Sequence, residues 1–265
     1  AGADRKEKKL KILVIGDVTS PSGVEHLSKK LWRFREREGI DFCVVNGENA
    51  GENSSITAKN CDALFSMGAD VITGGNHSLY NRDMNEIYER GYGALRPANL
   101  HPNAPGSGVY IYERGKYRCA VINLIGNVFL DLAYENPFIA AEKIIKDLGV
   151  KNIVIDMHAE ATSEKIALGI YLDGKVSFIF GTHTHVQTSD LQILEKGTAY
   201  ITDLGMTGPK DSVLGVEPSI IIDRLKNSSM EKFALAKGKP CVEGAYISID
   251  NNSLKVTDIK TLRIV

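Results

Sequence analysis

The sequence predicts an α/β protein whose core is two sheets covered by helices. Three observations carry that class. Short apolar, β-branched runs bounded by glycine alternate with amphipathic stretches through the first part of the chain, and such successions call for parallel strands joined by right-handed crossovers. Past Arg96-Pro97-Ala98-Asn99 the pattern changes to paired strand-like runs. The C-terminal part adds further strands, and parallel units followed by antiparallel ones are accommodated by two packed sheets.

Each element has a local reason. Leu10 to Ile15 is a short apolar run stopped by Gly16, as a buried strand should be. From Val24 to Glu38, Leu27, Leu31 and Phe34 recur at helical spacing among Lys, Arg and Glu, which predicts an amphipathic helix. Phe42 to Val45 reads as the second strand and the polar Gly51 to Ser55 as a loop. Thr57 is placed to cap a helix carrying Ala58, Cys61, Leu64 and Phe65 up to Gly68. Asp70 to Thr73 is the third strand, and Met84, Ile87 and Tyr88 mark another helix. Val109 to Tyr112 and Arg118 to Leu124, joined across Glu113 to Lys116, read as an antiparallel hairpin. Asn136-Pro137 supplies a cap and a first-turn proline for a helix over Phe138 to Leu148. Strands at Asn152 to Ile155 and Val176 to Phe180 flank a helix over Ser163 to Leu172. Beyond them the reading places strands at Leu191 to Leu194, Ala199 to Thr202, Lys232 to Ala236, Val242 to Ile249 and Leu254 to Leu262, and a helix near Ser219 to Leu225.

Composition narrows the function. The 265 residues are 43% hydrophobic, enough to bury a substantial core, and 32 basic against 33 acidic residues leave a formal charge of -1. No global field draws the protein onto nucleic acid or anionic lipid, so no stable nucleic-acid complex and no membrane partner are expected. Any phosphate must be held locally. No apolar run approaches the roughly 20 residues of a membrane-spanning helix. Residues 1–9 lack an apolar segment and read as a disordered leader or expression remnant, leaving one domain over 10–265 and a cytoplasmic location as the expectation. Cys43, Cys61, Cys119 and Cys241 form no Cys-x-x-Cys pair and read as structural thiols without disulfides. Neither Gly-x-Gly-x-x-Gly nor Gly-x-x-x-x-Gly-Lys-Ser/Thr follows a strand, which argues against a nicotinamide- or ATP-binding enzyme.

The chemistry gathers where strands end. Gly181-Thr182-His183-Thr184-His185 follows an apolar run, and two imidazoles one residue apart can turn toward one point, as metal ligands do. Asp17 follows the first strand, Asn46-Gly47-Glu48-Asn49 the second, Gly75-Asn76-His77 the third, and Asp156-Met157-His158 closes another. Each has an ordinary reading: Asp17 as a turn or cap residue, the asparagines as turn formers, His158 as a core histidine. Their coincidence at strand ends favours a shared crevice at the carboxyl edge of an α/β sheet. Asp17, Glu48, Asn49, Asn76, His77, His158, His183 and His185 are too many donors for one tetrahedral ion, whereas two ions about 3.5 to 4 Å apart would use them. Glu48, the only Glu among them, is the natural bridge. Nitrogen and oxygen donors without thiolate point to iron, manganese or zinc. His26 and His101 are expected at the surface.

At these residues the chain resembles a known family. Ile15-Gly16-Asp17-Val18, Val45 to Ala50, Gly75-Asn76-His77, Asp156 to Lys165, Gly181 to Thr188 and Gly197 to Pro209 are similar to the YmdB family of bacterial calcineurin-like metallophosphoesterases, over nearly the whole chain from Leu10. The resemblance implies a four-layer α/β/β/α sandwich with two metal ions per chain, iron or manganese foremost and zinc after them. It implies that Asp17, Glu48, Asn49 and His185 hold one ion, and Glu48, Asn76, His158 and His183 the other, with His77 left as general acid. It further implies hydrolysis of 2′,3′-cyclic nucleotides, a small-molecule phosphodiester substrate, by a hydroxide bridging the ions, and self-association as a homo-oligomer. Two segments depart from the family: Glu52 to Ser55 where a His-Gly-Lys-Gly-type loop is common, and Ser78-Leu79-Tyr80 where Thr-Trp-Asp is common. Both are expected to wall the substrate pocket. A phosphomonoesterase on the same centre, or a nucleotide-sensing regulatory protein, are the alternatives.

Overall fold

The computed structural model describes residues 9–115 and 117–265; residues 1–8 of the expected leader and Lys116 of the expected hairpin turn lie outside the described residues. The chain opens with β1 (Leu10–Ile15), β2 (Asp17–Val18), α1 (Ser20–Glu38), β3 (Phe42–Asn46), α2 (Ala58–Ser66), β4 (Val71–Thr73) and α3 (Met84–Arg90). The hairpin β5 (Val109–Arg114) and β6 (Tyr117–Ile125) follows, then α4 (Pro137–Leu148), β7 (Asn152–His158), α5 (Thr162–Tyr171) and β8 (Phe178–Thr182). The remainder is β9 (Gln192–Ile193), β10 (Ala199–Ile201), β11 (Met206–Pro209), α6 (Pro218–Asn227), β12 (Pro240–Ile249) and β13 (Val256–Ile264).

These strands build two sheets. One has the order β2-β11-β12-β1-β3-β4 with β13 beside β12, and the other β5-β6-β7-β8-β10-β9. Side-chain alternation along the strands then dictates four layers. In β1, Ile12 and Val14 face the second sheet and pack with Val121, Val154, Phe178 and Phe180. Leu13 and Ile15 face the other way, onto Leu27, Leu31 and Phe34 of α1 and Leu64 of α2. On the far side Ile122, Ile155 and Ile179 lie under Ala140 and Ala141 of α4 and Leu168 of α5. The architecture is a four-layer α/β/β/α sandwich, as the resemblance implies.

Local chemistry sets most boundaries. Thr57 Oγ1 accepts from Asn60 N at 3.2 Å while the Asn60 side chain reaches back to Thr57 N, a reciprocal cap at the start of α2. Asn136 caps α4 through Phe138 N. Gly39, at φ 64°, ends α1 in the left-handed conformation that glycine adopts without cost.

Three expectations are corrected. α1 begins at Ser20 rather than Val24, because Pro21 preorganises a first turn that carries no apolar periodicity. Lys232 to Ala236 is not a strand; it makes one isolated bridge, Leu235 with Val216, and Phe233 is exposed. β11 occupies the sheet instead, beside β2 and β12. His26 is half-buried rather than on the surface, whereas His101 is exposed. All four cysteines are free and buried. Among the described residues no helix is long and apolar enough to cross a membrane.

Candidate metal centre

Parallel pairing of β1 with β3 and β4 in one sheet, and of β6, β7 and β8 in the other, points these carboxyl ends to one edge of the sandwich. Asp17 sits just past β1, Glu48 and Asn49 past β3, and Asn76 and His77 past β4. His158 is the last residue of β7, and His183 and His185 follow β8. The two edges are tied together there. Asn46 Nδ2 donates to Asp156 Oδ2 at 3.0 Å, Thr73 Oγ1 donates to the same carboxylate, and His183 N donates to Asp17 Oδ2 at 3.1 Å. All eight sequence-predicted site residues therefore meet in one cluster.

One half of the cluster surrounds His158 Nε2. His158 Nδ1 lies 2.9 Å from Thr182 Oγ1, which donates onward to Asp156 Oδ1 at 2.7 Å, so Nδ1 carries the proton and donates. His183 is committed likewise: its Nε2 lies 3.0 Å from Glu160 Oε2. The two remaining nitrogens, His158 Nε2 and His183 Nδ1, face each other at 3.1 Å. Asn76 Oδ1, at 2.9 Å, and Glu48 Oε1, at 3.2 Å, converge on the same His158 nitrogen. Every group there is an acceptor, which only a proton or a cation reconciles. Without a metal a proton serves: burial pushes His158 down, but the Glu48 and Asp17 carboxylates outweigh it and lift this imidazole to about 9. Burial and the positive charge on His158 push His183 down to about 4.

The other half centres on Asp17. Burial pushes its carboxyl up, yet the charge of His185 beside it, with the hydrogen bond from His183 N, holds it well below the usual range. His185 Nδ1 donates to Leu214 O at 3.2 Å, which leaves Nε2 to face Asp17 Oδ1 at 3.6 Å and Asn49 Nδ2 at 3.3 Å. Asp17 Oδ1 and Glu48 Oε2 are buried oxygens with no hydrogen-bond partner among the described residues, and orphaned buried carboxylate oxygens are costly. His77 stands at the rim. Its Nδ1 lies 3.3 Å from both Asn49 Oδ1 and Glu48 Oε1, leaving Nε2 uncommitted.

No three His, Cys, Asp or Glu side chains among the described residues are disposed around one ion position; the donors touch edge to edge. They nevertheless fit metal ions. Two donors each about 2.1 Å from a common ion are roughly 3.0 to 3.4 Å apart at tetrahedral or octahedral angles, and His158 Nε2 lies 3.1 Å from His183 Nδ1 and 3.2 Å from Glu48 Oε1. The unpartnered oxygens supply further negative charge, and each histidine's second nitrogen is held as a metal ligand's would be. Gly75 makes room: a Cβ there would lie 1.9 Å from Glu48 Oε2 and 2.2 Å from His158 Nε2.

Sequence reasoning missed the groups behind the donors. Asp203 accepts from Thr184 N at 3.2 Å and Thr184 Oγ1 at 2.7 Å, pinning the turn in which His183 and His185 adopt φ of 93° and 60°. Lys165 pairs with Asp203, and Glu160 orients His183. These residues lie inside the long motifs Asp156 to Lys165 and Gly197 to Pro209, which was their only signal.

Comparison with known proteins bears on this cluster. The family described as YmdB-like protein matches residues 13–262. A 2′,3′-cyclic-nucleotide 2′-phosphodiesterase of Bacillus subtilis is 41% identical, with 96% of this chain and 97% of that protein covered. The crystal structure of a phosphatase from Mycoplasma pneumoniae superposes with a TM-score of 0.93 at 33% identity, covering 98% of this chain and 94% of that one. A hypothetical protein from Thermus thermophilus gives a TM-score of 0.90 at 31% identity, covering 96% and 99%. The NAD nucleotidase of Haemophilus influenzae, at 13% identity and a TM-score of 0.60 over 97% of this chain and 56% of that one, shares the fold alone.

Proposed function

The chain belongs to the YmdB-like family, a family of phosphoesterases, and from that premise we propose that it is a metal-dependent phosphodiesterase opening the ring phosphate of 2′,3′-cyclic nucleotides. The name of the Bacillus subtilis relative supports the substrate and the bond, the one from phosphorus to O2′. The single structural observation that carries metal dependence is the pair of acceptor nitrogens, His158 Nε2 and His183 Nδ1, facing each other at 3.1 Å beside two orphaned carboxylate oxygens. Asp17, Glu48, Asn49 and His185 would hold one ion, and Glu48, Asn76, His158 and His183 the other. With nitrogen and oxygen donors only, iron or manganese is the first choice.

When bound, the ions supply charge neutralisation at the phosphoryl oxygens and a nucleophile competent at neutral pH. The protein's own part is orientation and proton delivery. Asp203 and Glu160 fix the two histidines of the His183-Thr184-His185 turn, and Thr182 fixes His158. His77, its Nδ1–H directed at Asn49 Oδ1 and Glu48 Oε1, delivers a proton from Nε2 to the ribose O2′ as the P–O2′ bond breaks. The product is a 3′-nucleotide. Free, buried thiols support a reducing, cytoplasmic setting.

The test is metal content per chain in protein purified without chelator, with hydrolysis of 2′,3′-cyclic AMP before and after chelation. Two equivalents and a 3′-AMP product lost on chelation support the reading. Because the Mycoplasma pneumoniae neighbour is described as a phosphatase, a phosphomonoester is assayed alongside; turnover of the monoester alone would move the function there.

A further inference from the structure

Three residues past His77, the chain presents a phenol to solvent against that imidazole. The ring centroids of Tyr80 and His77 are 4.8 Å apart at an interplanar angle of 49°, and Tyr80 is 64% exposed. Nothing in the hydrophobic clusters claims it. Yet its backbone is tightly held. Tyr80 N donates to His77 O at 3.0 Å, Gly75 N to Ser78 Oγ at 2.8 Å, Tyr88 Oη to Ser78 O at 3.0 Å, and Asn81 Nδ2 to Ile56 O at 2.8 Å. A large aromatic on a fixed turn, exposed rather than packed, is a preorganised binding surface.

The position of that surface identifies what it binds. If His77 protonates O2′, the ribose C2′ lies over His77, and the base hangs on C1′, the next carbon. A flat aromatic face about one ring away is where the base must pass. We propose that Tyr80 is the platform on which the nucleobase of the cyclic nucleotide stacks, so that recognition of the base and delivery of the proton share one turn. This rests on the phosphodiesterase reading. Stacking uses the π-face that every base has, so Tyr80 confers affinity for nucleotides over base-free phosphodiesters without choosing among bases.

The experiment is steady-state kinetics of manganese-loaded wild type, Tyr80→Ala and Tyr80→Phe on 2′,3′-cyclic AMP and on methyl riboside 2,3-cyclic phosphate, which has the ring phosphate but no base. The wild type is expected to prefer the nucleotide, and in Tyr80→Ala the ratio of the two kcat/KM values should fall about tenfold, through KM for the nucleotide. Tyr80→Phe should keep the ratio. An unchanged ratio in Tyr80→Ala overturns the proposal: if both substrates lose kcat together, Tyr80 only positions His77, and if neither changes it does nothing at the site. Failure of the wild type on both cyclic phosphates is a different result, which sinks the phosphodiesterase reading and the stacking proposal with it.

Discussion

Lys165 Nζ lies 2.8 Å from Asp203 Oδ2, and both side chains are withdrawn from solvent behind the metal-binding turn. Asp203 spends the same oxygen on Thr184 N and Thr184 Oγ1, so the ion pair is the foundation of the His183-Thr184-His185 turn. Removing one partner strands the other as a buried charge, which costs about 3 to 5 kcal/mol. Lys165→Met should therefore lower unfolding stability by that amount in urea titrations of the metal-free protein. A surface-like loss of a few tenths would show that the pair is not the support described.

His77→Ala removes the proposed proton donor but none of the proposed ligands. Turnover of 2′,3′-cyclic AMP should fall by about 10² to 10⁴, while metal measured by mass spectrometry stays at the wild-type level. Loss of metal in this variant would move His77 into the ligand set.

Glu48 turns both carboxylate oxygens into the cluster: Oε1 approaches His158 and His77, and Oε2 is one of the two orphaned oxygens, which suits the proposed bridge. Glu48→Ala should empty both positions together rather than one. A variant that still binds two ions per chain would refute the bridge.

Gly75 is required by space rather than by φ. A methyl group would overlap Glu48 Oε2 and His158 Nε2, so Gly75→Ala should fold yet displace these two donors by about an ångström. Misplacement on that scale costs about 10²-fold in rate. Wild-type kcat in Gly75→Ala would mean that the two side chains can yield without consequence.

How much of this was legible depends on what kind of signal each feature leaves. The strand ends were readable because β1, β3 and β8 are apolar runs whose polar sequels stand out. β11 was not, since Met206-Thr207-Gly208-Pro209 carries no apolar run and becomes a strand only because β2 and β12 offer backbone partners. The donors at the site are residue types that attract attention. Their supports are not: nothing local marks Lys165 as buried, because its partner Asp203 lies 38 residues away in sequence. Proton positions were equally hidden, because the commitment of His158 Nδ1 depends on Thr182 and Asp156 meeting it in space.

The raised His158 makes a pH signature. In the metal-free protein its imidazole titrates at about 9 rather than 6.5. The folded state thus binds a proton more tightly than the unfolded chain does, and the stabilisation is fully present below pH 6.5 and lost as pH rises through 9. With a shift of this size the loss is on the order of 3 kcal/mol. Metal binding reverses the dependence, because a ligating imidazole must be neutral and the ion displaces the proton. Urea midpoints of chelated protein should fall between about pH 6.5 and 9.5, whereas those of manganese-loaded protein should not fall with them, and metal affinity should strengthen over the same interval. Parallel pH profiles with and without metal would mean that the proton and the ion do not compete for His158 Nε2.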